Sequence, residues 1–157
     1  MSRYRISVDI EAPREYVYDL FIDLTRMREW VGGVTGVTDV VGAPDQAGAR
    51  YVVHFGPMKS HTEVLIAERP KVFRTKFGTW LLRGESEAYF EDVRGATRLV
   101  QDLRIIGIVS RIAARIFASG SYQGSFRGEL EAFKALAERE WSGDGDLTGG
   151  DAPADGD

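Results

Sequence analysis

"EVLIAERPKVFRTKFGTWLLRGESEAYFEDVRGATRLVQDL", residues 63–103, decides the fold. Its short apolar runs alternate at period two and are broken by "RP", "GT" and "RG", dipeptides suited to tight turns between antiparallel neighbours. Residues opposite one another in a hairpin share a face, so the register follows from the turns. Two-residue turns at Arg69-Pro70, Gly78-Thr79 and Arg94-Gly95 put Val64 opposite Thr75, Phe77 opposite Trp80 and Phe90 opposite Leu99. On the other face Glu63 meets Lys76, Glu85 meets Arg104 and Glu91 meets Arg98, the pattern of a solvated surface. Two pairs fit badly: Glu87 opposite Asp102, and Arg74 opposite Arg83. A bulge would move part of this register by one residue and exchange its faces.

Outward from this stretch, the same reasoning gives candidate strands Val34–Val41, Arg50–Gly56, Ser60–Glu68, Val72–Phe77, Trp80–Asp92 and Thr97–Ile106. A turn at Pro57-Met58 sets Phe55 opposite Ser60 and Val53 opposite Thr62. "RYRISVDI", Arg3–Ile10, alternates and forms a further strand. Pro13 then suits a first helical turn, with Val17, Leu20 and Phe21 at helical spacing. Asp23 caps a second short helix that ends near Trp30, before Gly32 and Gly33. A long helical pattern from Ile108 to Glu140 closes the domain. The expected class is α+β: a seven-stranded antiparallel sheet, two short helices after the first strand, and one long C-terminal helix.

Along that last helix Ile112, Ile116, Ser119, Gln123, Phe126, Leu130, Phe133 and Ala137 form one stripe, apolar at both ends and polar in the middle. Beside it run Gly120, Gly124 and Gly128, each of which costs roughly 1 kcal/mol against alanine in a helix interior. Such a smooth ridge serves close approach of other backbone within the domain, a kink, or a seam between subunits.

The totals narrow the function classes. A chain of 157 residues with 43% hydrophobic and 28% charged residues suits a single domain with a sizeable core. It contains no cysteine, which rules out thiol nucleophiles, disulfides and cysteine metal sites. The net charge of −4 resides in the terminal "SGDGDLTGGDAPADGD"; without its five Asp, 20 basic residues face 19 acidic ones. That balance leaves no footprint for nucleic acid. The domain is therefore expected over residues 1–141, followed by a disordered acidic tail over residues 142–157. Without an apolar run long enough for a membrane span or an apparent signal peptide, a cytoplasmic location is expected.

The order of elements, together with "IEAPREYVYDLFIDLTRMREW" (10–30), "GARYVVHFG" (48–56), "EVLIAERPKVFRTKF" (63–77) and "GATRLVQDL" (95–103), resembles the START-like, or SRPBCC, superfamily. Within it, the likeness is to the polyketide cyclase/dehydrase-like group, over about residues 3 to 140. The resemblance implies a helix-grip fold, a curved sheet wrapped around the long helix with an apolar cavity between them. "FGPMKSHTEVL" and "GIVSRIAARIFASGS" are also similar to the accessory G subunit of carbon monoxide dehydrogenases.

In this frame Thr62, Thr75, Ser86 and Gln101 point inward from the sheet among apolar residues, and the helix adds Ser119, Gln123 and Phe126. An apolar pocket with a few polar handles suits a small hydrophobic ligand. Gly84, Ser86 and Ala88 would leave volume open along one strand. Trp30, Tyr51, Phe55, Phe77 and Trp80 supply aromatic walls. His54 and His61 pair across their hairpin on the outer face, which offers too few ligands for a metal centre. No cofactor is expected. With no Asp, Glu, Lys or His on the inner face, catalytic residues are not identifiable. The functions left open are binding of an aromatic, polyketide-like or isoprenoid ligand, a polyketide aromatase/cyclase or dehydratase, and an accessory subunit of a larger oxidoreductase. In that last case Gly120, Gly124 and Gly128 would form the contact, as they would in a homodimer.

Overall fold

Alternating side chains draw strands β1 (Ser2–Ile10), β2 (Gly36–Val41), β3 (Arg50–Phe55), β4 (Met58–Glu68), β5 (Val72–Gly78), β6 (Leu82–Val93) and β7 (Ala96–Ile108) into one seven-stranded antiparallel sheet, ordered β1-β7-β6-β5-β4-β3-β2. The computed structural model describes residues 2–80, 82–108 and 121–148. Helix α1 (Arg14–Ile22) follows β1, with Pro13 as its extended N-cap rather than inside the first turn. The second short helix is a 3-10 turn, Leu24–Glu29, capped as expected by Asp23, whose carboxylate accepts from the Thr25 amide at 3.0 Å. Helix α2 (Ser121–Thr148) packs on β1, α1 and the 3-10 turn. This is the helix-grip arrangement.

The register departs from expectation at four places; one is a bulge between Arg83 and Gly84 that sets Leu82 opposite Ile108, and the other three have local causes. At β3–β4 the turn is Gly56-Pro57, because Gly56 adopts the positive φ, 62°, that a primed hairpin turn needs at its first central position. Pairing slips by two residues, so Tyr51 meets Thr62 and Val53 meets Ser60 while every face is kept. A bulge between Val64 and Ile66 then exchanges faces locally: Ala67 pairs with Phe73, and Ile66 leaves the expected inner face to pair with Arg74. Between β5 and β6 the strand starts at Leu82, not Trp80, and Phe77 lies opposite Gly84 instead of Trp80. Arg74 consequently pairs with Glu87 and binds Glu85 and Glu87, which removes the expected clash with Arg83. The Glu87–Asp102 pairing is real, and Arg3 relieves it by donating to Asp102 at 2.9 Å from the neighbouring strand.

Helix α2 is described through Thr148, seven residues into the acidic segment that begins at Ser142. Just before that segment Trp141 packs against Tyr16, with ring centroids 5.1 Å apart. Upstream, Arg26 and Tyr16 both donate to Glu140, so α2 is tied to the N-terminal helical region. The core lies between the inner face and α2, where Phe126, Leu130, Phe133 and Ala137 of the expected stripe are all buried.

Candidate ligand-binding site

Cross-strand pairing arranges the inner face in ranks. One runs Ile6, Gln101, Ala88, Phe73, the next Tyr4, Leu103, Ser86, Thr75, Val64, and a third Ile105, Gly84, Phe77, Thr62, Tyr51. Polar side chains thus sit at the middle of an otherwise apolar surface. Thr62, Thr75 and Gln101 are buried, and Ser86 is half-buried. The Gln101 amide donates to Ser86 Oγ at 2.9 Å, while its carbonyl oxygen is buried with no partner among the described residues. Ser60, buried opposite Val53, extends the polar set; sequence reasoning placed it opposite Phe55 without counting it as a handle.

The aromatic walls separate into those that enclose the interior and one that does not. Trp30 is buried, with ring centroids 5.3 Å from Phe21 and 4.9 Å from Phe133. Tyr51 is also buried, and burial pushes its hydroxyl pKa up to about 12, so it is a neutral phenol at any working pH. Phe55 and Phe77 are partly buried against the core, and Phe126 lies within it. Trp80 is 73% exposed and walls nothing: the longer β5–β6 connection carries it out of the strand where the two-residue turn would have held it. Ser119 and Gly120 fall outside the described residues, and Gln123 and Gly124 are defined only by their place in the first turn of α2.

Two expectations about space also change. A Cβ at Gly84 would stand 2.7 Å from Phe77 Cζ and 2.6 Å from the Arg104 carbonyl oxygen, so the ring of Phe77 already occupies what the glycine vacates. A Cβ at Gly128 would meet nothing within 4 Å, so that member of the glycine ridge permits no close packing among the described residues; it faces outward. His54 and His61 do not pair either, because the two-residue slip sets His61 opposite Val52 and His54 opposite Lys59. No cluster of metal-ligating side chains forms among the described residues.

The family model for "Polyketide cyclase / dehydrase and lipid transport" matches residues 1–138. The chain belongs to that family. A protein of Mesorhizobium loti has the same fold at a TM-score of 0.70 and 14% identity, over 88% of this chain and 98% of that one. So do a putative protein from the dynemicin biosynthetic locus (0.61, 20%, 88% of this chain and 46% of that one) and Ara h 8.0201 (0.64, 9%, 87% and 97%). At these identities the likeness is one of fold. No curated protein matches the sequence.

Membership in the polyketide cyclase/dehydrase and lipid transport family points to binding of a hydrophobic ligand, and the inner face is chemically suited to it. Among the described residues no helix is long and apolar enough to cross a membrane. One titratable group escaped the sequence reading. Glu129, on α2 between Phe126 and Phe133, accepts from the Gly32 amide at 3.3 Å, and burial lifts its carboxyl to a pKa of about 7 against the pull of that bond. Its only sequence signal was the i−3 and i+4 spacing to the two phenylalanines, which places it beside the stripe rather than in it.

Proposed function

We propose that the protein binds a small hydrophobic ligand, aromatic, polyketide-like or isoprenoid, between the inner face of the sheet and the C-terminal helix. The observation that supports this best is the band of Thr62, Thr75, Ser86 and Gln101 set inside an apolar surface. Gln101 and Ser86 bond each other, but Gln101 Oε1 is buried without a partner among the described residues, which costs about 1 to 3 kcal/mol and gives a filled core nothing in return. Tyr51, Phe55, Phe77, Trp30 and Phe126 would enclose the ligand, with Ser119 and Gln123 contributed by the polar middle of the helical stripe.

Native mass spectrometry of protein from two expression hosts tests the proposal, together with thermal shift against a panel of fused-ring aromatics and isoprenoid alcohols. A bound species of a few hundred daltons, or concentration-dependent stabilisation by one panel class, is expected. Neither adduct nor shift would leave the polar band as core packing. A second reading, a polyketide aromatase/cyclase or dehydratase, draws on Glu129: a carboxyl poised near neutral pH can give or take a proton. It requires turnover that Glu129→Gln removes while ligand binding persists.

A further inference from the structure

Trp80 lost its place in the pocket wall and stands 73% exposed, more than any other large hydrophobic side chain among the described residues. It sits in the turn that joins β5 to β6, closed by the bond from the Thr79 amide to the Leu82 carbonyl oxygen. The end of β7 lies alongside, since Leu82 pairs with Ile108. The bulge at Arg83 skips Ile106 in the ladder, and while Ile105 stays buried on the inner face, Ile106 is 54% exposed. Two large apolar side chains therefore meet water at one end of the sheet.

Guanidiniums surround them. Arg83 extends over Gly107, where a Cβ would stand 3.6 Å from its Nη2. Arg104 precedes Ile106 by two residues and lies opposite Arg3 and Glu85, and Arg5 lies opposite Asp102. The nearby carboxylates are engaged by other cations: Asp102 by Arg3, and Glu85 and Glu87 by Arg74. Arg5, Arg83 and Arg104 are left without an ion pair among the described residues. The chain as a whole carries a net charge of −4, so attraction to an anionic surface depends on this corner alone.

A protein partner would need a pocket shaped to one ring projecting from a hairpin turn. A lipid interface needs none, because the headgroup region accepts an indole anywhere along it and anionic headgroups attract unpaired guanidiniums. We propose that this corner of the sheet docks on an anionic lipid surface. Trp80 and Ile106 enter the boundary between headgroups and acyl chains, Arg83 and Arg104 meet the phosphates, and Arg5 adds to the local positive potential. The contact is peripheral and separate from the inner face, so it goes beyond the ligand-binding reading and does not depend on it.

Vesicle co-sedimentation and tryptophan fluorescence of the full chain test this, comparing phosphatidylcholine vesicles with an equal mixture of phosphatidylcholine and phosphatidylglycerol. At low salt the native protein should bind the mixed vesicles at least about tenfold better than the neutral ones, and the difference should shrink as salt rises. Its emission should shift to the blue on binding. Trp30 is already buried and Trp141 lies beyond the opposite end of β1, against Tyr16, so the shift should come from Trp80. Trp80→Ala should abolish it and weaken binding about tenfold, while Trp141→Phe keeps both. Arg83→Gln should weaken binding to the mixed vesicles about fivefold. Trp80 and Arg83 are exposed, so both variants should fold. No binding to mixed vesicles, equal binding to neutral ones, or binding that Trp80→Ala leaves unchanged would overturn the proposal without bearing on the ligand site. So would a dimer that Trp80→Ala dissolves, which would make this corner a contact between copies of the chain.

Discussion

The interior has two unlike halves. Around α1, the rings of Tyr18, Phe21, Trp30, Phe73, Phe90 and Phe133 meet edge-on or tilted, with centroids 4.9 to 6.3 Å apart. Across the middle of the sheet the facing residues are Thr62, Thr75, Ser86 and Gln101, hydroxyls and an amide with little bulk. Aromatic pairs contribute about 0.5 to 1.5 kcal/mol beyond their buried area, and there are seven of them here among the described residues, whereas the polar band has one described hydrogen bond, Gln101 to Ser86, worth a similar amount by itself. One half of the interior is thus packed by rings and the other carries buried polar side chains. Trp30 belongs to the aromatic half and is also one of the rings proposed to enclose the ligand, so it joins the two halves.

The sharpest way to break that contrast is to empty the aromatic half. Phe133 is fully buried and bridges α2 to both Phe21 and Trp30. Phe133→Ala should cost about 3 to 5 kcal/mol, read as a lower denaturation midpoint with an unchanged slope, since the surrounding rings cannot collapse into the space. A loss under about 1 kcal/mol would mean that this half is as loosely filled as the other, and the division would fail.

Most of this arrangement was legible in the sequence, and the errors follow a physical rule. Inner and outer faces are encoded by alternation, which survives any slip of even length. The two-residue slip at Gly56-Pro57 and the four-residue offset at Phe77–Gly84 therefore changed partners without moving Thr62, Thr75, Phe77 or Ser86 off the inner face. Odd shifts do damage, and the bulge that turned Ile66 outward left no mark in the alternation around it. Turn residues were the weak point for Trp80, because "GT" suits a two-residue turn but the hairpin closes farther out, with the Thr79 amide bonded to the Leu82 carbonyl oxygen at 2.8 Å. Glu129 could not be read from the sequence, since its environment comes from a loop 97 residues away.

Gly84 sharpens the comparison from the polar half. It looked like vacant space and instead receives the ring of Phe77, an exchange in which an aromatic covers a strand glycine. Gly84→Ala should therefore cost about 1 to 3 kcal/mol, because the new methyl meets the Arg104 carbonyl oxygen as well as a ring that can swing away. Thermal melts check this. The variant also reports on function: if Phe77 is pushed towards Thr62, probes such as 2-naphthol should bind less well, whereas a neutral substitution would show that the ring is not seated there.

The smallest effect belongs to Glu129, which joins α2 to the loop after Trp30. Its carboxyl is raised to about 7 from 4.5 by burial, so between those values the folded protein holds a proton that the unfolded chain has released. Stability should therefore fall as pH climbs from about 5 to 8, by on the order of 1 kcal/mol once screening at a half-buried site is allowed for. The other shifted carboxyls do not interfere in that window: Glu63, Asp102 and Glu140 are lowered by Lys76, Arg3 and Arg26, so their stabilisation is already complete above ordinary carboxylate pKa values. Glu129→Gln keeps an acceptor for the Gly32 amide and removes the titration. Its melting temperature should be flatter than that of the native protein from pH 5 to 8 and higher at the alkaline end, and a native profile that is already flat would place the Glu129 carboxyl in water.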